Sequence, residues 1–117
     1  MMAKGGRRPL IMGNWKMNLG PAEALALTGA LLDGLPSAAT ADVAVAPPFI
    51  SIGPVCRLLD RSAAVIPAAQ NMHWQDHGAC TGEVAPPMLV EAGIRMVILG
   101  HSERRTMLGE DDGMIGR

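Results

Sequence analysis

Asn14 and Lys16, Gln70 and Asn71, and His101 and Glu103 are the residues of this chain whose types suit acid–base or electrostatic chemistry, and each pair follows directly on an apolar run. A lysine, carboxamides and a neutral histidine in one pocket suit a substrate that carries anionic charge and a carbonyl. The cation and the hydrogen-bond donors stabilise an oxyanion as it develops. The clearest of these stretches is Met96-Val97-Ile98-Leu99-Gly100-His101-Ser102-Glu103-Arg104-Arg105. Four apolar residues read as a buried strand, and Gly100 frees the backbone. His101 stands at the strand's carboxyl end, and Ser102 and Glu103 supply a hydroxyl that can cap a helix and an acid suited to its first turn. The positive end of that helix opposes protonation of His101 and favours neutral imidazole. The place where a parallel strand stops and a helix starts is where α/β proteins hold ligands.

Taken singly, these residues have ordinary readings. A loop lysine is usually a solvated surface group, His101 alone is equally a satisfied structural histidine, and Asn14 and Asn71 are common turn residues. Glu103 with Arg104 and Arg105 also fits a solvated helix start. Their position after successive predicted strands is what favours a shared site.

The elements that must position them follow from the apolar pattern. A short strand over 9–12 ends at Gly13. Pro21 suits the first position of a helix over 22–35, in which Leu25, Leu27, Leu31, Leu32 and Leu35 recur near helical spacing. A strand over 42–46 stops at Pro47-Pro48. A helix over 50–61 turns Ile52, Val55, Leu58 and Leu59 inward, although Gly53-Pro54 weakens its start. A third strand covers 63–69, a long loop 72–87, a short helix 88–92 closed by Gly93, and the fourth strand 96–99. A last helix begins within 110–117. Strands that alternate with helices predict a parallel sheet with right-handed crossovers, so the fold class is α/β, built from parallel (β/α) units in a single domain over 1–117.

The chain has 117 residues, 49% of them hydrophobic and 18% charged, an ordinary globular balance. Its net charge of −1 gives no electrostatic reason to expect nucleic acid or a membrane surface as partner. Lys4, Arg7 and Arg8 resemble the basic region of a signal peptide, but the apolar run behind them is too short, and the expectation is a soluble, cytoplasmic protein. Cys56 and Cys80 have no metal or redox spacing. His73, His77, Cys80 and Glu83 share one loop and suggest zinc at first sight. However, His-x-x-x-His presents both rings together only on a helix, and Gln75-Asp76-His77-Gly78 reads as a loop, so no metal is expected. There is no P-loop, no G-x-G-x-x-G and no G-x-S-x-G, hence no support for a nucleotide cofactor or serine-hydrolase chemistry.

Gly13-Asn14-Trp15-Lys16-Met17-Asn18, Ala69-Gln70-Asn71, Gly78-Ala79-Cys80-Thr81-Gly82-Glu83 and Leu99-Gly100-His101-Ser102-Glu103-Arg104-Arg105, with Ala46-Pro47-Pro48, closely resemble the triosephosphate isomerase family in order and spacing. The resemblance, rather than the spacing, implies a (β/α)8 TIM barrel that interconverts dihydroxyacetone phosphate and glyceraldehyde 3-phosphate through an enediolate, without cofactor. It implies that Asn14 and Lys16 bind substrate, with Lys16 giving positive charge near the developing oxyanion. It implies that His101 is the neutral electrophile that polarises the carbonyl and shuttles protons between its oxygens. Glu103 then orients the lysine, with Ser102 in support. Thr81 reaches into the partner's site near Asn14 in the family's homodimer, and Glu83 and Arg104 help hold that interface. Cys80 stands where the family usually has an aromatic residue and Ala85 where it often has serine. Loss of a well-buried ring weakens such a contact by about a few kcal/mol.

A full barrel of this kind takes about 250 residues and eight units, and this sequence holds four, a half barrel corresponding to the amino-terminal part. The family's glutamate base lies after the sixth strand and its glycine-rich phosphate loops after the seventh and eighth, outside these 117 residues. General base catalysis alone is worth about 10²- to 10⁴-fold, so this chain by itself is expected to be nearly inactive. Two other readings remain open. One is a non-catalytic half-barrel module that assembles edge to edge. The other is a phospho-sugar binder that keeps Lys16 and His101 without the base.

Overall fold

A computed structural model of the chain describes residues 8–36, 40–60 and 64–116. The order of elements is β1 (Leu10–Asn14), α1 (Pro21–Gly34), β2 (Asp42–Ala46), α2 (Phe49–Leu59), β3 (Ile66–Pro67), α3 (Pro86–Ala92), α4 (Ser102–Leu108) and α5 (Asp112–Ile115). The three strands form one parallel sheet in the order β1-β2-β3. β1 pairs with β2 from Leu10 opposite Asp42 to Asn14 opposite Ala46, and β2 pairs with β3 at Ala44 opposite Ile66 and Val45 opposite Pro67. This is the alternation the sequence predicts, and the sheet is open rather than closed.

The later strands are shorter than expected. Of the strand predicted over 63–69, Ile66–Pro67 is regular, and Ala63 lies outside the described residues. Ala68 N–H still donates to Val45 O at 2.8 Å, so contact with β2 runs one residue past Pro67. The stretch 96–99 makes one parallel bridge, Ala69 to Val97, closed by Ala69 N–H to Met96 O at 2.9 Å and Ile98 N–H to Ala69 O at 2.9 Å.

Two packed clusters hold the layers together. In the first, Ala24 from α1 meets Val45 of β2, Val55 and Leu59 of α2, and Val65, with Trp15, Leu19 and Leu31 closing over it. In the second, Ile52, Ala69, Leu89 and Ile94 join α2 and α3 to the far side of the sheet. The buried stripe of α1 is not the leucine set read from the sequence. Ala24 and Thr28 are fully buried, whereas Leu25 and Leu27 are each 39% exposed. Ala24, Thr28, Leu31 and Leu35 share one face at helical spacing, and small residues at the first two positions let α1 lie close to α2. In α2, Ile52, Val55 and Leu59 are buried as expected, but Leu58 is exposed. The helix starts at Phe49 and runs through Pro54, whose missing N–H frees the Ile50 carbonyl on the face where Ile50 itself is exposed. Gly93 closes α3 with a φ of 101°, a left-handed cap that glycine takes without a Cβ penalty.

Candidate active site

Parallel pairing brings the carboxyl ends of the strands to one edge of the sheet. Asn14 is the last residue of β1, Ala46 the last of β2, Gln70 follows the Ala69 bridge, and His101 follows the stretch 96–99. The side chains at these ends form one connected network. Asn14 Oδ1 accepts the backbone N–H of Lys16 at 3.0 Å, and Asn14 Nδ2 lies 3.2 Å from His101 Nδ1. The ring's other nitrogen, Nε2, donates to the backbone carbonyl of Gln70. Lys16 Nζ donates to Glu103 Oε1, and Glu103 Oε2 lies 3.7 Å from His101 Nδ1, beyond hydrogen-bond distance.

These partners settle the form of the imidazole. A carbonyl oxygen can only accept, so Nε2 carries a proton. The Lys16 N–H fixes which end of the Asn14 amide is oxygen, so the NH₂ faces Nδ1 and Nδ1 must accept. His101 is therefore the neutral Nε2–H tautomer, with its side chain only 11% exposed. His101 is also the N-cap residue of α4. The expected cap at Ser102 is not made. Ser102 is the first helical residue, is exposed, and its hydroxyl makes no hydrogen bond to a described residue, because the chain enters the helix one residue earlier, at His101.

Lys16 has a φ of 54° and Leu19 a φ of 75°, left-handed conformations uncommon for residues with a side chain. Such a backbone costs roughly 1–3 kcal/mol and persists where its surroundings over-determine it. At Lys16 they do so through Gln70, whose Nε2 donates to Lys16 O at 2.7 Å and to Ala46 O at 2.8 Å. Trp15 N–H also donates to Ala46 O at 3.1 Å, which ties the loop after β1 to the end of β2. Gln70 thus holds the lysine's carbonyl with its side chain and the histidine with its main chain. The amide was visible in the sequence as a polar residue after the third strand, but its reach back across two strand ends was not.

The Lys16–Glu103 pair lies at the open mouth of the network, where both groups are well exposed. The hydrogen bond from Lys16 holds the Glu103 carboxyl below its ordinary 4.5, with its own backbone N–H and the Lys16 charge adding to the effect. Such an exposed pair contributes little stability, and its effect is to fix where the ammonium points. Arg104 lies between two carboxylates, 3.8 Å from Glu83 Oε1 and 2.5 Å from Glu110 Oε2. Thr81 is exposed in the turn of the long loop. In the same loop His73 Nδ1 accepts the Gln75 N–H at 3.1 Å and its ring stacks on Trp74, while Cys80 Sγ approaches Gln75 Oε1 at 3.5 Å. Among the described residues no three His, Cys, Asp or Glu side chains are grouped to hold a metal ion. A cavity of about 950 Å³ between α2, β3 and α3 is lined by none of the network's residues.

The family model of triosephosphate isomerase matches residues 9–117. A triosephosphate isomerase of Herpetosiphon aurantiacus is 51% identical over 111 residues, which is 95% of this chain and 44% of that protein. One of Carboxydothermus hydrogenoformans is 48% identical over 111 residues, with the same shares covered. One of Chloroflexus aurantiacus is 46% identical, again over 95% of this chain and 44% of the relative. The chain spans less than half the length of these curated relatives. The motifs at the strand ends lie within the matched residues, and the chain belongs to the triosephosphate isomerase family.

Proposed function

We propose that this chain supplies the amino-terminal half, residues 1–117, of a (β/α)8 isomerase that interconverts dihydroxyacetone phosphate and glyceraldehyde 3-phosphate through an enediolate. The observation that carries the reading is the single network joining Asn14 and Lys16 at the end of β1 to His101 after the stretch 96–99. In it, Lys16 gives the fixed cation and Asn14 a donor for the substrate, and His101 Nε2–H is the electrophile. The substrate carbonyl takes the place that the Gln70 carbonyl occupies at Nε2, so a neutral donor meets oxygen on which negative charge develops. Glu103 positions the lysine. The base that removes the carbon-bound proton comes from the half of the barrel that these residues do not include. We place the protein in the cytoplasm as a homodimer in which Thr81 reaches the partner's site and Glu83 and Arg104 brace the loop. The unpaired thiols of Cys56 and Cys80 support a reducing compartment, and the ion pair of Glu83 with Arg104 supports the bracing role.

The experiment is reconstitution. The 117-residue chain is mixed with the carboxy-terminal part of the Herpetosiphon aurantiacus enzyme, and glyceraldehyde 3-phosphate turnover is followed in a coupled assay. Turnover by the mixture and none by either part alone is the expected result. Robust turnover by the 117-residue chain alone defeats the proposal that its half of the site is incomplete.

A second reading, assembly without catalysis, rests on the outer edge of β1, where Leu10 is 50% and Ile11 61% exposed. An open apolar edge is a template for pairing. Light scattering that finds a strict monomer removes it.

A further inference from the structure

The loop that carries Lys16 bends twice through left-handed backbone, at Lys16 with a φ of 54° and at Leu19 with a φ of 75°. The Gln70 side chain holds the first bend. Ser51 holds the second, its hydroxyl donating to the Leu19 carbonyl at 2.8 Å. Ser51 is fully buried in the first turn of α2. A serine inside a helix usually turns its hydroxyl to a carbonyl of its own helix or to water. This one leaves the helix and reaches back 32 residues in sequence to the loop after β1. Leucine adopts left-handed backbone only against a steric penalty, so its surroundings must hold it there. They do so from two sides: the Leu19 side chain packs on the cluster of Ala24, Val45 and Val55, and Ser51 takes its carbonyl. Between the two bends Met17 is 93% exposed, and Asn18 bonds inside the loop, Nδ2 to Trp15 O at 2.7 Å. The path from Lys16 to α1 therefore hangs on Gln70 at one end and on the Leu19–Ser51 contact at the other.

We propose that Ser51 is a positioning residue: by fixing Leu19 it fixes the loop from which the Lys16 ammonium is aimed at Glu103 and the mouth of the network. It makes no hydrogen bond to Lys16 and acts through the Leu19 carbonyl. Its use in a reaction rests on the reading of Lys16 as the substrate's cation, whereas the clamp on the loop does not.

The test compares Ser51→Ala with Ser51→Thr, which keeps the hydroxyl, in the isotope-labelled 117-residue chain. Alanine is smaller than serine and suits a helix, so the first variant keeps α2. In the parent, backbone ¹³C shifts should report left-handed Leu19. In Ser51→Ala those shifts should leave the left-handed range, and the Glu103 carboxyl, lowered in the parent by the Lys16 hydrogen bond, should titrate closer to 4.5. Ser51→Thr should keep both parent values. A serine that only packs α2 changes the denaturation midpoint when replaced and leaves Glu103 where it was. In the barrel reconstituted with the carboxy-terminal part, Ser51→Ala should lower kcat/KM at least about tenfold, since a misplacement of about 1 Å costs about 10²-fold. Parent shifts outside the left-handed range at Leu19, a parental Glu103 titration in Ser51→Ala, or parental turnover in Ser51→Ala where Lys16→Met is slow each overturns the proposal. A shifted Glu103 in Ser51→Ala together with parental turnover in Lys16→Met upholds the clamp and defeats the reading of Lys16 instead.

Discussion

Asn14 controls His101 through one side chain facing two ways: its oxygen takes the Lys16 N–H at 3.0 Å and its nitrogen faces the ring's Nδ1 at 3.2 Å. The amide therefore couples the shape of the lysine loop to the tautomer of the histidine. Asn14→Asp replaces the donor with an acceptor. The expected result in ¹⁵N NMR is a proton on Nδ1 as well as on Nε2 of the His101 ring, where the parent chain is expected to carry one on Nε2 alone. A ring that keeps the neutral Nε2–H form in the variant contradicts the assignment.

Glu103 reports the lysine. Its carboxyl titrates below the ordinary 4.5 because Lys16 donates a hydrogen bond to it. A depressed carboxyl contributes stability that is present above the unfolded value and is lost as pH falls through the folded one. Lys16→Met should return the Glu103 carboxyl to its ordinary range in a ¹³C-detected titration, with little change in stability near neutral pH. A Glu103 curve that does not move in Lys16→Met excludes the pair as the cause.

Gly100 is needed at its position. Its φ is 67°, and a Cβ there would stand 2.8 Å from Ile115 Cδ1. Gly100→Ala should destabilise the fold by roughly 1–2 kcal/mol from the left-handed backbone alone, and it should displace α5. Denaturant unfolding measures the first effect and the Ile115 methyl signal the second.

Thr28 offers the opposite sign. It is fully buried in the face of α1 that meets α2, and its hydroxyl has no hydrogen-bond partner among the described residues. Thr28→Val keeps the shape and removes the unpaired oxygen, so unfolding should become harder by about 1 kcal/mol. A lower denaturation midpoint in the variant shows that the hydroxyl has a partner when folded.

Much of this was legible in the letters. The strand 42–46 and the helix starts at Pro21 and Ser102 follow from apolar runs bounded by proline, glycine and acid. So does the gathering of Asn14, Lys16, His101 and Glu103, because parallel strands place their carboxyl ends together. What escaped depends on contacts remote in sequence. The burial of Ala24 and Thr28 in place of Leu25 and Leu27 is decided by how closely α1 approaches α2. The role of Gln70 lies in a side chain that spans 24 residues to Ala46 and 54 to Lys16.

The central claim is that His101 and Lys16 carry half of the isomerase chemistry. Its most direct test is the rate of glyceraldehyde 3-phosphate turnover when His101→Gln or Lys16→Met chains replace the parent in the reconstituted barrel. Each variant should assemble as well as the parent and turn over at least about 10²-fold more slowly. An assembled variant that keeps the parent rate contradicts the account.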